Sequence, residues 1–485
     1  MKMREGIQGG QLKIFEKEDL YKIHLAVLRV LEDLGILIQH ESALKLLEDA
    51  GANVDYTKQV ARIPEYLVEE SIRKAPRSVR CAGLTRENDF YLEGTRAVFG
   101  PGEGNIYVYD LTIGKRRFSR LKDMEDAAKL VDSLPNIDFV MGLGSAQDRH
   151  QSVVGLEGQA AMMCNTEKHS VLYCHHGEAL TRDQLKIAEL IAGGEDELRN
   201  KPLATLYAEP SSPLFVGTEY IEATMVWAEA GQPVVYAPCI QQAATAPITM
   251  VGSLVQGAAE SLSGNVVMQL INPGAPFIFG LVPIVIDIRT GVANYGGPDP
   301  ALLGIGLAQL AQYYQLPSWG TGCVCDAKIL DGQALSEATM NLTTATLAGQ
   351  NLIHDLGYLA AGTIGSFELI TIADQLISQI RHLLKKVTVN DETLSLEAIF
   401  EAGHGGNYLA NKQTLRLLRT GILWISDLFD KSVLDRWERE GAKTLQEKAR
   451  EKSLKLIQEH DTEIVPKDIR MEIDEIIKKA IRQTV

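Results

Sequence analysis

Eight short apolar runs, most of them bounded by glycine or proline, constrain this chain more than any other feature. They are AVFGPG (97–102), IDFVMGLG (137–144), HSVLYCHH (169–176), LATLYAEP (203–210), PVVYAPC (233–239), PFIFGLV (276–282), LPSWGTG (316–322) and NLIHDLG (351–357). Amphipathic helical patterns lie between them. Near-continuous apolar runs belong to strands buried on both faces, and strands alternating with helices pair in parallel through right-handed crossovers. Eight is the number that closes a cylinder, so an α/β fold of the (β/α)8 TIM barrel type is predicted over an open doubly wound sheet. No G-x-G-x-x-G follows any run, and GPGEG (100–104) leads into the strand-like IYVYD, so a dinucleotide-binding fold lacks support.

The flanks read differently. Three amphipathic helices come first, EKEDLYKIHLAVLRVLEDLG (16–35), SALKLLEDAG (42–51) and PEYLVEESIRKAP (64–76), the first two stopped by Gly35 and Gly51 and the third opened by Pro64. The last hundred residues return to charged helical patterns at 432–460 and 466–482. The expected organisation is an N-terminal helical extension (1–80), a barrel catalytic core (81–380) and a C-terminal helical region packed on the barrel (381–485).

Charge and cysteine usage exclude several classes. A net charge of -15 over 485 residues argues against nucleic acid and against anionic membrane surfaces. The longest apolar runs fall far short of the ~20 residues of a spanning helix, and MKMREGIQGGQ has no signal-peptide core, so a cytoplasmic protein is expected. Six cysteines are spread without a disulfide framework. Cys323 and Cys325, beside Asp326, form an isolated C-x-C, read as small residues packing near a strand end, with no metal site. H-E-x-x-H, G-x-x-x-x-G-K-[ST] and G-x-S-x-G are all missing.

In such a fold the chemistry lies at the carboxyl ends of the strands. There the sequence places Glu103, Gln147, Cys174, His175, His176, Glu209, Gln241, Gln242, Asp326, Lys328, His354 and Tyr358. Consecutive strand residues face opposite sides, so His175 and His176 are not expected to share a ligand; one should be buried and bonded to backbone. Tyr107, Tyr207, Tyr295, Trp319 and Tyr358 fall near the same ends. Singly, each suits core filling; as a group, they suit a cage for a quaternary ammonium, whose charge is attracted to aromatic faces. Lys328 suits an ion pair with Asp326 or Asp331 better than a Schiff base.

Longer blocks carry a resemblance. LEDLGILIQHESALKLLEDAGANVD, RIPEYLVEESIRKAP, AGQPVVYAPC, TAPITMVGSLVQGAAESLSGNVVMQLINPGAPFIFG, AQLAQYYQLPSWGTGCVCDAKILDGQ, LAGQNLIHDLGYL and GHGGNYLANKQTLRLLRTGILWISDLFD, in this order, are similar to the trimethylamine methyltransferase superfamily over nearly the whole chain. The resemblance implies (β/α)8 enzymes that pass a methyl group from an amine to the cobalt of a separate corrinoid protein. Trimethylamine members carry pyrrolysine near the seventh strand, whereas CDAKILDGQ holds standard residues only. That implies the non-pyrrolysine branch, which includes glycine betaine:corrinoid protein methyltransferases, with proline betaine and carnitine as alternative substrates and trimethylamine inert. A quaternary ammonium leaves as a neutral tertiary amine, so no nucleophilic adduct is needed and catalysis is mainly positioning.

The expected substrate-binding residues are Trp319, Tyr358, His354, Tyr295, Glu209, Gln256, Asp326 and Lys328, with His354 and Gln256 as donors to a betaine carboxylate; no residue is assigned a covalent role. The cobalamin should arrive on a partner, because the nearest approach to D-x-H-x-x-G runs from Asp148 through His150 to Val153, where glycine is required. The expected partners are the quaternary amine, the cognate corrinoid protein and further copies of the chain in a homo-oligomer. A lysine-dependent lyase or aldolase built on Lys328, and a non-catalytic binder of zwitterions, are the competing readings.

Overall fold

The structure is a computed structural model that describes residues 3–174, 177–460 and 463–484. Each apolar run contains a strand: β1 (Arg96–Pro101), β2 (Phe139–Val140), β3 (His169–Tyr173), β4 (Ala204–Ala208), β5 (Val234–Tyr236), β6 (Phe277–Phe279), β7 (Trp319–Thr321) and β8 (Leu352–Leu356). Each is followed by a helix: α1 (Leu121–Ser133), α2 (Val154–Met163), α3 (Glu178–Ala192), α4 (Thr218–Glu229), α5 (Met250–Ile271), α6 (Pro298–Tyr314), α7 (Gly332–Ala348) and α8 (Phe367–Leu383).

Two parallel ladders order the strands as in the sequence. β2 through β6 pair consecutively, and β7 pairs β8, which pairs β1. A parallel bridge between Phe279 and Ser318 joins the ladders on one side. On the other side the Asp138 N–H donates to the Phe99 carbonyl at 2.7 Å, and the Asp138 carboxylate accepts the Phe99 N–H at 3.0 Å.

The period-2 alternation of strands sorts the side chains into two buried clusters. Val98, Phe139, Val171, Tyr207, Val235, Ile278, Trp319 and Leu352 form one. Their neighbours Phe99, Val140, Leu172, Leu206, Val234, Phe277 and Ile353 join the larger cluster beneath the helices. A run apolar at every position is what two buried faces require. The first cluster also takes Val79, Cys81, Phe90 and Leu92 from an antiparallel hairpin (Ser78–Cys81 with Phe90–Glu93), and His169 at the start of β3 bonds to the Ala82 carbonyl at 3.1 Å. The hairpin therefore covers the amino ends of the strands and leaves their carboxyl ends for function.

The expected N-terminal helices form at Lys17–Arg29, extended by a π-helical turn, Glu41–Asp49 and Glu65–Lys74. They are joined by short strands that the helical reading did not anticipate, one of which (Ile36–Ile38) pairs with Phe215–Val216. In the C-terminal region Leu445–Glu459 contacts α8 through Thr371–Ser453 (2.7 Å) and Arg450–Glu368 (3.0 Å). Lys467–Thr484 lays Ile473 and Ile477 against Leu156 and Ile187. Between α8 and these helices, much of 385–440 is exposed.

Candidate active site

β8 departs from regular geometry where the site is built. Its register against β1 shifts between Ile353 and Leu356, and Asp355 takes φ +73°. Such a bulge re-aims side chains. His354 and Asp355 consequently meet on the same side, with Nε2 3.2 Å from Oδ1. Opposite them β1 is followed by Gly102, where a Cβ would lie 2.2 Å from Asp355 Oδ1 and 2.4 Å from the Tyr358 ring. Only glycine leaves room for that carboxyl.

Aromatic rings surround the pair. Trp319 on β7 is fully buried, with its ring 3.9 Å from that of His354 and stacked on Tyr207 of β4 at 4.9 Å. Tyr173 on β3 meets Tyr207 edge-on at 5.4 Å. The Tyr295 hydroxyl donates to Asp355 Oδ2 and lies 3.2 Å from Thr321 Oγ1, and the Tyr358 hydroxyl donates to the Glu103 carbonyl at 2.6 Å. Trp319 Nε1 is buried and has no hydrogen-bond partner among the described residues.

Two carboxyl groups sit among these rings. Burial pushes the Asp355 carboxyl up to about 8; hydrogen bonds from Tyr295 and Tyr358 oppose the shift, and the charge of Glu209 adds to it. Burial likewise raises Glu209 above the usual carboxylate range, against hydrogen bonds from Tyr207, Cys239 and Tyr173. Burial lowers the His354 imidazole to about 3, although its Nδ1 faces the Gly320 carbonyl at 2.6 Å. A buried aromatic cluster holding acids and a neutral imidazole has the chemistry to attract a small organic cation.

The structure brings Trp319, Tyr358, His354, Tyr295 and Glu209 together. Asp326 stands one step behind, accepting the Tyr295 backbone N–H at 2.9 Å while its own N–H donates to Glu337 at 2.7 Å; it positions the segment that carries Tyr295. Gln256 lies elsewhere. It sits on α5 and donates to the Thr245 carbonyl at 2.8 Å and to Glu260 at 2.9 Å, so it has no place as a donor to a substrate carboxylate. Glu260 in turn accepts from Ser212 (2.6 Å) and from the Leu214 N–H (2.8 Å), bracing the loop after Glu209. Lys328 is exposed and donates to the main-chain carbonyl of Asp326 at 2.7 Å, not to a carboxylate. His175 and His176 lie outside the described residues. Cys323 and Cys325 are buried thiols, and burial pushes Cys323 up to about 12. Among the described residues no group of three or more His, Cys, Asp or Glu could hold a metal ion.

Asp355, Tyr173 and Cys239 were not among the expected ligands. For Asp355 the signal was an acid inside the buried run NLIHDLG, one position past His354, the residue expected to face inward.

The class defined so far is a parallel α/β protein that gathers aromatic rings and two buried carboxyl groups around its strand ends. Sequence comparison places it further: the profile of the family described as Trimethylamine methyltransferase (MTTB) matches residues 3–484, and the chain belongs to that family. Trimethylamine methyltransferase MttB of Desulfitobacterium hafniense (strain DSM 10664 / DCB-2) is 33% identical, covering 98% of this chain and 95% of that one. Glycine betaine methyltransferase of Desulfitobacterium hafniense (strain Y51) is 31% identical, covering 89% and 90%. Trimethylamine methyltransferase MttB of Methanosarcina barkeri (strain Fusaro / DSM 804) is 31% identical, covering 98% and 96%. In three dimensions the chain is similar to the crystal structure of the Methanosarcina barkeri monomethylamine methyltransferase, with TM-score 0.50 over 98% of this chain and 99% of that one at 10% identity, a likeness of fold alone.

Proposed function

We propose that this protein moves a methyl group from a quaternary amine, glycine betaine first, to the Co(I) corrinoid of a separate corrinoid protein, giving dimethylglycine. The observation that carries the reading is the cluster of Tyr207, Trp319, Tyr295 and Tyr358 around two buried carboxyl groups, in a chain of this family. Rings and carboxylates attract an ammonium that has no N–H to donate. Transfer leaves a neutral tertiary amine, so the protein has to orient one methyl toward cobalt, hold the nitrogen and exclude water. The run CDAKILDGQ after β7, made of standard residues only, supports a quaternary amine over trimethylamine. The buried, unpartnered Trp319 N–H offers a donor to a betaine carboxylate.

We read the eight strands as a (β/α)8 barrel closed between β1 and β2, with 1–80 as its N-terminal extension and 381–485 as a C-terminal region on its flank. The face around the site suits docking of the corrinoid carrier. Ile106, Ile113 and Phe118 follow β1, Ile248 follows β5, Ile288 and Val292 follow β6 and Ile329 follows β7, each 44–70% exposed. The hairpin that bears Ile113 and Phe118 also carries Lys115 and Arg116, and Arg120 follows it at the start of α1; none of the three forms an ion pair among the described residues. In a chain of net charge -15, that edge would draw an acidic partner. A second apolar surface suits contact with another copy of the chain: Leu383, Val387, Phe400, Leu409, Ile425 and Val433 are 72–84% exposed. Six unpaired cysteines suit a reducing cytoplasm.

The test is a demethylation screen of quaternary amines with free cob(I)alamin as acceptor, followed by the absorbance of methylcobalamin. Glycine betaine should be turned over and trimethylamine should not. Turnover of trimethylamine with betaines ignored would reverse the substrate assignment.

A further inference from the structure

The buried pair His354–Asp355 has no part in the reaction described above beyond lining the site. The Gly320 carbonyl, 2.6 Å from His354 Nδ1, can only accept, so Nδ1 carries a hydrogen. The other ring nitrogen then lies 3.2 Å from Asp355 Oδ1, and two bare acceptors so close repel each other unless one of them carries a proton. Whether that proton rests on oxygen or nitrogen, the empty pair is uncharged. Oδ2 is occupied by the Tyr295 hydroxyl. Among the described residues the titratable groups that face the pair are Tyr207, Tyr295, Tyr358, Glu209, Cys239 and, beyond Tyr358, Glu103, and none of them is a cation. With Glu209 already held by three donors, a second naked carboxylate in this buried space would stand beside a like charge with nothing to offset it.

We infer that binding of the substrate's quaternary ammonium expels this proton from Asp355 to solvent, and that Asp355 takes a proton back once the nitrogen has become neutral. The inference rests on the reading of the site as a quaternary-ammonium receptor and adds the role of Asp355 within it. The cation carries a charge that no change of pH removes, so it takes over the proton's part in neutralising the carboxylate. On methyl transfer the C–N electron pair stays on nitrogen and the positive charge leaves the amine. Asp355 is then an unpaired buried anion again, regains one proton from solvent, and no longer attracts the product. Over the cycle one proton leaves and one returns, with the methyl group moved. Burial supports the assignment of the proton to oxygen, since it holds Asp355 up to about 8 and His354 down to about 3.

The experiment is titration calorimetry of the full-length protein with glycine betaine and with tetramethylammonium, in buffers of differing ionisation heat. At pH 7 a carboxyl titrating at about 8 should release roughly 0.9 proton per cation bound. Affinity should rise about 50-fold from pH 6 to pH 8 and level off above. Asp355→Asn should bind with no buffer dependence and a flat profile. Tyr295→Phe, which removes a donor to the anion, should move the levelling point to higher pH. Binding by the wild type without proton release, or undiminished release by Asp355→Asn, would overturn the inference. Methyl transfer to free cob(I)alamin, measured on the same preparations, separates the two failures. Transfer without proton release sinks this inference alone, whereas proton-coupled binding without transfer to any acceptor sinks the proposed reaction.

Discussion

His354 Nε2 lies 3.2 Å from Asp355 Oδ1, although the two residues are adjacent in a strand. Regular pleating would send them to opposite faces. The bulge against β1 and the positive φ of Asp355 turn both into the same pocket. A non-glycine residue in that backbone region costs about 1 kcal/mol or more. The hydrogen bonds from Tyr295 and the vacancy left by Gly102 hold it there. Local strain is spent on gathering a histidine, an acid and the rings at one point, the concentration expected of a functional site.

The raised Asp355 carboxyl makes a prediction about stability without ligand. A group protonated in the fold up to about 8 but ionised in the unfolded chain above ~4 stabilises fully below ~4 and loses that contribution as pH rises through 8. Asp355→Asn keeps the neutral hydrogen-bonding shape. The melting temperature of this variant, relative to wild type, should therefore increase from pH 5 to pH 8 and level off above. A constant difference would mean that Asp355 is ionised throughout.

The rings separate by what they hold. Trp319 is fully buried and packed between Tyr207 and His354, so Trp319→Leu should lose stability as well as cation affinity, by up to ~3–5 kcal/mol and roughly 0.5–2 kcal/mol respectively. Tyr358→Phe keeps its ring and loses the hydroxyl that meets the Glu103 carbonyl and Asp355, so betaine affinity should fall less than about tenfold. Paired melting curves and betaine titrations check both. Unchanged affinity in Trp319→Leu would return that ring to a purely structural role.

The strands were legible because burial on both faces leaves little room for polar residues, which makes the runs visible without any partner. Trp319, Tyr295, Tyr358, Glu209 and His354 were legible for a related reason: they are polar or aromatic residues within the apolar runs or in the segments that follow them. Asp355 was not, because alternation assigns it to the face opposite His354 and only the bulge moves it. Gln256 was expected as a donor at the strand ends, but it lies on α5, where its amide bonds to Glu260 and the Thr245 carbonyl. The rim hairpins Tyr107–Phe118 and Val282–Asn294 pair outside the eight core strands, with Ile364–Gly365 and Cys239–Gln242 respectively, and the eight-strand pattern contains nothing that announces them.

Docking and chemistry are predicted to be separable at that rim. Ile113→Asp and Phe118→Asp place charge on exposed apolar sites of the hairpin, and Arg120→Glu reverses a free positive charge. Rates with free cob(I)alamin should stay within about twofold of wild type, while the KM for the corrinoid protein should rise roughly tenfold or more, about 1.4 kcal/mol of interface energy. Charge reversal should also weaken the salt dependence of association. Equal losses with both acceptors would show that the hairpin serves the site instead of the partner.

Glu209 should act on the substrate directly and on Asp355 at a distance. Its carboxylate accepts from Tyr207, Cys239 and Tyr173, and its charge helps to raise Asp355. Glu209→Gln keeps an acceptor oxygen and removes the charge. Two unit charges ~5 Å apart at an effective dielectric near 20 attract by about 3 kcal/mol, of which desolvation and relaxation return a part, so a loss of roughly 10- to 100-fold in affinity for glycine betaine is expected. The sign of the second effect is fixed by the first: without the neighbouring negative charge Asp355 ionises more readily, so the pH at which affinity levels off should move below 8. Titrations from pH 6 to pH 9 on wild type and variant read both quantities together. A weaker affinity with an unmoved pH profile would place Glu209 at the ammonium but uncouple it from Asp355, whereas an unchanged affinity would remove Glu209 from the site.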